Sequence, residues 1–382
     1  VPQLTHRFNL EAGSVGMLAS LYYYAYTPLQ IAVGVTIDRF GPRKVLINAI
    51  FLCALGTYIF GYSDILYLVG LGRILVGFGS AFAFVGLLKL AAIWLPKNHF
   101  PIFTGIATSM GMLGAIYGDI ELTRIVEHSG WPRAMLLSVC VGLLLVALFY
   151  CVVKERRIDS AEKKHYDLWP VLFHDFFQII KMRQLWLVGL IGGVLYLSLT
   201  VIAEMWGIPF LGKLFPHRPD IIVRINAMIF VGWLVGSPLM GWLSNSLKSR
   251  KKPIIFGMLS AACMVLLIIL WVPNNLYIMG SLFFLFGLFS SAEILSFVIA
   301  RESVPIKMVA SAIAFVNLLV MLGGMIVQPA VGYLIDLGWR GHTAHGAHIY
   351  SLLTYRMALM VVPIIMIMSL PFSMKIRDTF DK

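Results

Sequence analysis

Hydrophobic positions along this chain fall in long unbroken blocks, separated by short polar stretches that hold most of the charge. Segment 253–273 has charged residues at none of its positions, and 133–153 has none beyond Arg133. Each block is long enough to cross a hydrocarbon core of ~30 Å as a helix. Eleven spans are predicted, roughly 14–36, 43–62, 66–93, 100–123, 133–153, 184–206, 223–246, 253–272, 276–300, 308–334 and 350–374. The alternating strands of ~10 residues that mark a membrane barrel are absent from this pattern. Pro238 and Pro329 fall inside spans, which membrane helices tolerate when neighbours satisfy the freed backbone groups. The pattern predicts an all-α membrane protein.

Composition agrees. Of 382 residues, 59% are hydrophobic and 13% charged, whereas a soluble chain carries about 25% charged residues. The net charge of +12 reads as topology. Twenty of the 30 Lys and Arg fall in one set of loops and the C-terminal tail, and eight in the opposite loops. Arg73 and Lys89 lie within a span, Lys89 close enough to its end to reach headgroups. The cation-rich side, with the C-terminus, is expected to be cytoplasmic. Scattered charge without interleaved aromatics argues against a nucleic-acid partner. Eleven spans then put residue 1 outside, which predicts a further helix upstream and twelve in all. Cys53, Cys140, Cys151 and Cys263 sit in spans, with no spacing for a metal site or a disulfide framework.

The loop 154–183 divides the chain into an N-terminal half, 1–153, and a C-terminal half, 184–382. Within it Trp169, Leu172, Phe173, Phe176, Phe177 and Ile180 recur at helical spacing, as in a helix lying at a membrane interface or an early start of the next span. The halves echo each other. Gly34 to Lys44 matches Gly241 to Lys252, and Met112 to Arg133 matches Met321 to Arg340, at an offset of about 208 residues.

The run from Gly34 through Asp38, Arg39 and Gly41 to Arg43 and Lys44 resembles the signature loop of the major facilitator superfamily. Arg73, Gly77 and Gly79 resemble a second motif of that superfamily, and the resemblance covers nearly the whole chain. It implies two pseudo-symmetric six-helix halves with the substrate between them near the bilayer midplane. It also implies that Gly34, Asp38, Arg39, Gly41 and Arg43 form a cytoplasmic gate, with Asp38 facing the positive end of the helix that starts near Lys307. In the second-half copy Asn245 stands at the acidic position, so a second latch is not expected. The glycines Gly105, Gly111, Gly114 and Gly118 suit close helix packing. Ala115 follows Gly114 where drug exporters of the superfamily carry Pro, which favours uptake. The Tyr-rich first span, Leu88-Lys89-Leu90 and Gln328-Pro329 look most like phagosomal nutrient transporters of intracellular proteobacteria, which carry amino acids or nucleosides.

Polar groups inside the spans are the candidate site. Arg73 shares a helical face with Gly77, Ser80 and Phe84 and is a candidate for an anionic substrate group. Tyr23, Tyr26, Gln30, Tyr196 and Asn317 are candidate substrate contacts, with Gln328 beside them; packing is the alternative for the tyrosines. Glu293 is the deepest acid. A carboxyl shielded from water can load and release a proton near neutral pH, or it can serve as a structural hydrogen-bonding group. Glu204, nearer a span end, is a second proton-coupling candidate or an interfacial residue. Asp119 and Glu121 suggest a surface ion pair with Arg124, and His342, His345 and His348 a solvated loop. No metal site, cofactor or phosphate-binding loop is expected. The chain reads as a monomeric, multi-pass, non-enzymatic carrier of a bacterial inner membrane. Its expected work is proton-coupled import of a small polar metabolite, with an amino acid or short peptide first. A nucleoside, an iron chelate or an organic acid is the alternative cargo. A non-transporting membrane sensor is the alternative of another class.

Overall fold

A computed structural model describes residues 7–8, 10–40, 42–94, 100–153, 178–216, 218–271, 275–304, 309–339, 341, 343–344 and 347–380. Its helices are α1 (Ala12–Phe40), α2 (Pro42–Tyr62), α3 (Leu66–Trp94), α4 (Phe100–Tyr117), α5 (Thr123–Ser129), α6 (Trp131–Val152), α7 (Arg183–Leu197) and α8 (Gly207–Leu214). There follow α9 (Pro219–Ser246), α10 (Lys251–Leu270), α11 (Leu276–Ser290), α12 (Ile294–Glu302), α13 (Val309–Leu337), α14 (Leu352–Leu359) and α15 (Val361–Ser373). Wider π-helical turns join α4 to α5 (Gly118–Leu122) and α7 to α8 (Ser198–Trp206), and a tight 3₁₀ turn joins α11 to α12 (Ser291–Glu293). A short hairpin of β1 (Thr343–Ala344) and β2 (Ala347–His348) precedes α14, with Thr343 opposite His348.

Among the described residues, nine helical stretches are long and apolar enough to cross a membrane. The protein is a multi-pass membrane protein. The helices α1 and α4 occupy the expected spans 14–36 and 100–123 but are not among those nine. Pro28, Pro238, Pro329 and Pro371 all sit inside continuous helices. Apolar side chains cover the outside as well as the core: in α6 only Ala134, Met135 and Val139 are buried, while Leu144 and Val152 are exposed. Without a hydrophobic force between helices in lipid, small residues set the packing. A Cβ on Gly232 of α9 would stand 2.1 Å from the Phe284 carbonyl, and one on Gly287 of α11 2.1 Å from the Ile229 carbonyl. These two backbones touch only because neither glycine carries a side chain. By contrast, a Cβ on Gly111, Gly114 or Gly118 would meet nothing within 4 Å among the described residues. The packing role expected for that glycine series is therefore not seen at these three.

Side-chain contacts define two faces. At the tail face, Arg43 donates to the Tyr150 carbonyl (2.6 Å) and lies over its ring, joining the start of α2 to the end of α6. On the same face, Asp378 of the tail accepts from the Ser249 hydroxyl and from the N–H groups of Arg250 (2.9 Å) and Lys251 (3.4 Å) at the start of α10. Arg250 also pairs with Glu302 at the end of α12 (3.0 Å). Gln184 exchanges two hydrogen bonds with the backbone of Arg377. At the far face, Arg7 pairs with Asp64, and Arg124 with Glu121, both at 2.7 Å. The second of these is the ion pair expected from the sequence; the side chain of Asp119 lies outside the described residues. Cys140, Cys151 and Cys263 are exposed and Cys53 half-buried, all unbridged.

Three expectations fall wholly or partly outside the described residues. Gly34, Asp38 and Arg39 occupy the last turns of α1, but their surroundings, Gly41 and Lys307 lie outside, and with them the expected latch. The amphipathic stretch from Trp169 to Phe177 lies outside; residues 178–180 that follow it are helical, with Ile179 fully buried. His342 and His345 lie outside, while His348 stacks on Trp339 at 3.8 Å between ring centroids.

Candidate functional site

The helices before the long loop meet those after it along α1 and α13, which run antiparallel side by side. Near the far face, the Gly13 N–H donates to Asp336 (2.6 Å), and Asp336 also accepts from the Tyr350 hydroxyl. One turn deeper, Gly16 lies against Pro329 and the Trp206 ring. Deeper still, the Tyr23 hydroxyl donates to the Glu204 carboxylate. That contact is possible because Gly324 lets the Tyr23 ring in: a Cβ there would stand 2.8 Å from the ring. Near mid-helix, Asn317 donates to the Tyr26 hydroxyl (3.4 Å). Four candidates named from sequence thus meet as two pairs, each joining the two sets of helices.

Tyr22 and Tyr26 stack at 5.6 Å, and Tyr23 packs edge-on to Tyr22 at 5.0 Å, one turn apart or adjacent on α1. Arg73 of α3 reaches back to this cluster. It donates to the Ala19 carbonyl (3.0 Å), and its guanidinium lies over the rings of Tyr22 and Phe60, both at 5.6 Å. Among the described residues no carboxylate lies within ion-pair distance of it. Gln30 donates to the Ala81 carbonyl of α3 (3.4 Å), and its buried side-chain oxygen has no partner among the described residues. Tyr196 packs edge-on to Trp233 (5.8 Å).

Glu293 ends the 3₁₀ turn that breaks the α11–α12 span near its middle. Close contacts fix that break. Ser291 presses on Gly236 of α9 and Ala292 on Gly257 of α10, where added Cβ atoms would stand 2.4 and 2.6 Å away. Glu293 points elsewhere: it shares a face with Phe297 one turn on, and Phe297 meets Phe84 of α3 at 6.5 Å. Glu293 is buried, and among the described residues it has no hydrogen bond or ion pair. The buried hydroxyls of Ser290 and Ser296 beside it also have no partners among the described residues. Bare buried polar groups inside a membrane-spanning segment are costly unless water or a ligand reaches them.

Sequence reasoning missed the backbone that carries Glu204. The segment Ser198–Trp206 is π-helical, with wider i→i+5 turns that leave carbonyls open to side chains. Two amides fill them: Gln328 of α13 donates to the Thr200 carbonyl, and Asn226 of α9 to the Ala203 carbonyl (2.7 Å). Trp206, fully buried, donates to the Gln328 carbonyl (3.4 Å). Gln328 is among the polar lining residues expected from the sequence. Asn226 is not among them, although an Asn inside an apolar span signals such a brace. Among the described residues no group of His, Cys, Asp and Glu is arranged to hold a metal ion.

The family model of the Major Facilitator Superfamily matches residues 1–218 and 221–378. The chain is 26% identical to "Uncharacterized transporter YybO" of Bacillus subtilis over 88% of its length and 82% of that protein. It is 24% identical to "Probable sulfoacetate transporter SauU" of Cupriavidus necator (88% and 81% covered). It is 22% identical to "Probable galactarate/D-glucarate transporter GudP" of Escherichia coli (91% and 84% covered). In fold it resembles a bacterial homologue of the lysosomal transporter Spinster in an inward-facing, occupied conformation, with a TM-score of 0.73, 14% identity, and 97% and 90% of the two chains covered. It likewise resembles the nucleoside transporter NupG, with a TM-score of 0.71, 12% identity, and 96% and 92% covered. These matches span both sets of helices and the loop between them, and the chain belongs to the Major Facilitator Superfamily of membrane transporters.

Proposed function

We propose that this chain is a secondary active carrier of a small organic anion, working by alternating access between an N-terminal half, 1–153, and a C-terminal half, 184–382. The observation that carries the reading is Arg73: a guanidinium inside a membrane helix, beside a tyrosine cluster, with no carboxylate paired to it among the described residues. A buried cation inside a membrane helix without a counter-charge is costly, by up to ~3 kcal/mol at a helix centre on insertion scales, and a carboxylate or sulfonate on the substrate would offset that cost. Tyr23, Tyr26, Gln30, Tyr196 and Asn317 would line the path. Relatives whose names cite sulfoacetate and the galactarate/glucarate pair support an organic acid ahead of the amino acid or short peptide favoured by sequence alone. Narrower kinship with the phagosomal nutrient group gains no support from these relatives.

In this reading Glu293 loads the coupling proton, Glu204 closes the far side, and the direction is import. The chain acts as a monomer with eleven spans in a bacterial inner membrane, and its tail face is cytoplasmic. A thermal-shift screen of the full chain over sulfonates, sugar diacids, amino acids and nucleosides tests the substrate class. A ligand at 100 times its Kd stabilises by about 2.7 kcal/mol. The expected result is stabilisation by acids that disappears in Arg73→Gln. Stabilisation by a neutral nucleoside alone, or an acid response that survives Arg73→Gln, would overturn it.

A further inference from the structure

We propose that the cavity between the start of α7 and the C-terminal tail binds the headgroup of an anionic phospholipid. The cavity, of about 560 Å³, is lined by Met182, Arg183, Gln184, Leu187, Lys375 and Arg377. Three of these six carry positive charge. Among the described residues none of the three has an acidic partner: the ion pairs there use Arg7, Arg124 and Arg250 instead. The backbone that carries them is held in place. Gln184 donates to the Arg377 carbonyl (2.8 Å) and accepts from its N–H (3.1 Å), which fixes the tail against α7. Lys375 lies over the Phe372 ring at 5.4 Å.

Position selects a lipid over a soluble anion. Arg183 opens one membrane span and Lys375 lies two residues beyond the end of another, so the cavity sits at the level of headgroups. Trp186, 39% exposed, donates its indole N–H to the Ile180 carbonyl (2.7 Å), the interfacial placement favoured by tryptophan. Beyond it, Leu190 on α7 and Met368 on α15 are 49% and 67% exposed, apolar surface along which acyl chains can lie. A basic pocket between membrane helices with an apolar track above it fits phosphatidylglycerol or cardiolipin. This inference depends only on membrane embedding and stands apart from the carrier reading.

Native mass spectrometry of the full chain tests it, with phosphatidylglycerol, phosphatidylcholine and soluble glycerol 3-phosphate as three separate probes. Each cation near an anionic surface is worth about fivefold in affinity. Phosphatidylglycerol should bind the unmodified chain at least about tenfold more tightly than phosphatidylcholine. Arg183→Gln/Lys375→Gln/Arg377→Gln should abolish that preference, while Lys44→Gln/Lys248→Asn, on the same face, should keep it. Equal binding of the two lipids, equal loss in both variants, or glycerol 3-phosphate binding as tightly as the lipid would each overturn the proposal. Should the triple variant not fold, photoreactive phosphatidylglycerol on the unmodified chain decides. Label within 182–190 and 368–377 is expected, and label confined to other segments contradicts the site.

Discussion

The Tyr23 hydroxyl on α1 donates a hydrogen bond to the Glu204 carboxylate in the π-helical stretch after α7, and so ties the two sets of helices together toward the far face. A hydrogen bond to a charged group contributes about 1.5–3 kcal/mol. Tyr23→Phe removes it without changing the ring. The closed arrangement should lose about tenfold or more of its population relative to the open one. Spin labels at Glu11 and Leu337, exposed at the far ends of α1 and α13, would report this as a longer inter-label distance. An unchanged distance distribution would show that Gly13–Asp336 and the packing around Trp206 hold the closure alone.

Gly324 should be as intolerant of substitution as Tyr23. A Cβ at 2.8 Å from the Tyr23 ring must displace that ring, and overpacking costs about 1–3 kcal/mol. Gly324→Ala is expected to mimic Tyr23→Phe in the distance measurement and to lower the melting temperature besides. Gly111→Ala, with nothing within 4 Å of the new carbon among the described residues, should not lower the melting temperature, because Ala is favoured over Gly inside a helix.

The amide braces predict a local effect. Gln328→Ala or Asn226→Ala leaves an open carbonyl in the π-helical segment, at a cost of about 1–3 kcal/mol for a buried unsatisfied group. Amide hydrogen exchange should quicken within 198–206 in either variant. Exchange that stays as slow as in the unmodified chain would mean the π turns need no brace.

Much of this was legible in the sequence, and the boundary has a physical basis. Hydropathy located the helices because a bilayer imposes a length on every span. Tyr23, Tyr26, Glu204 and Asn317 stood out because polar groups inside spans are costly and rarely idle. Their pairing did not, since Tyr23 and Glu204 are 181 positions apart and only the packing of α1 on α13 brings them together. The π turns were illegible because nothing in the residues 198–206 distinguishes i→i+5 from i→i+4 bonding until Asn226 and Gln328 are seen on their carbonyls. Asp378 gave no signal either. The sequence puts Asn245 where the first half has Asp38, and the carboxylate at the start of α10 comes instead from the tail.

That tail carboxylate has a pH signature. Burial pushes the Asp378 carboxyl up, but hydrogen bonds from the Ser249 hydroxyl and the N–H groups of Arg250, Phe380 and Lys251 outweigh it and hold it below the ordinary carboxylate range. A carboxyl lowered in the folded state contributes stability that is complete above its unfolded value of about 3.9 and is lost as pH falls through the folded value. Tail residues 374–380 should therefore stay docked at neutral pH and loosen only below about pH 4. Limited proteolysis across pH 3–7 would check this, with Asp378→Asn cleaved in the tail even at pH 7. A tail equally resistant in that variant would remove Asp378 from the clamp.

On the proposed reading, this chain carries an anion and couples it to protons through Glu293. Counterflow in proteoliposomes, with a labelled acid chosen by its thermal shift, tests it most directly. The unmodified chain should exchange label at equal pH and accumulate it against a gradient when pH differs across the membrane. Glu293→Gln should keep the exchange, because an uncharged mimic of the protonated acid still lets the loaded carrier reorient, and should lose pH-driven accumulation. An unmodified chain that binds the acid but exchanges none would be a sensor with a carrier's fold, and accumulation that survives Glu293→Gln would remove Glu293 from the coupling.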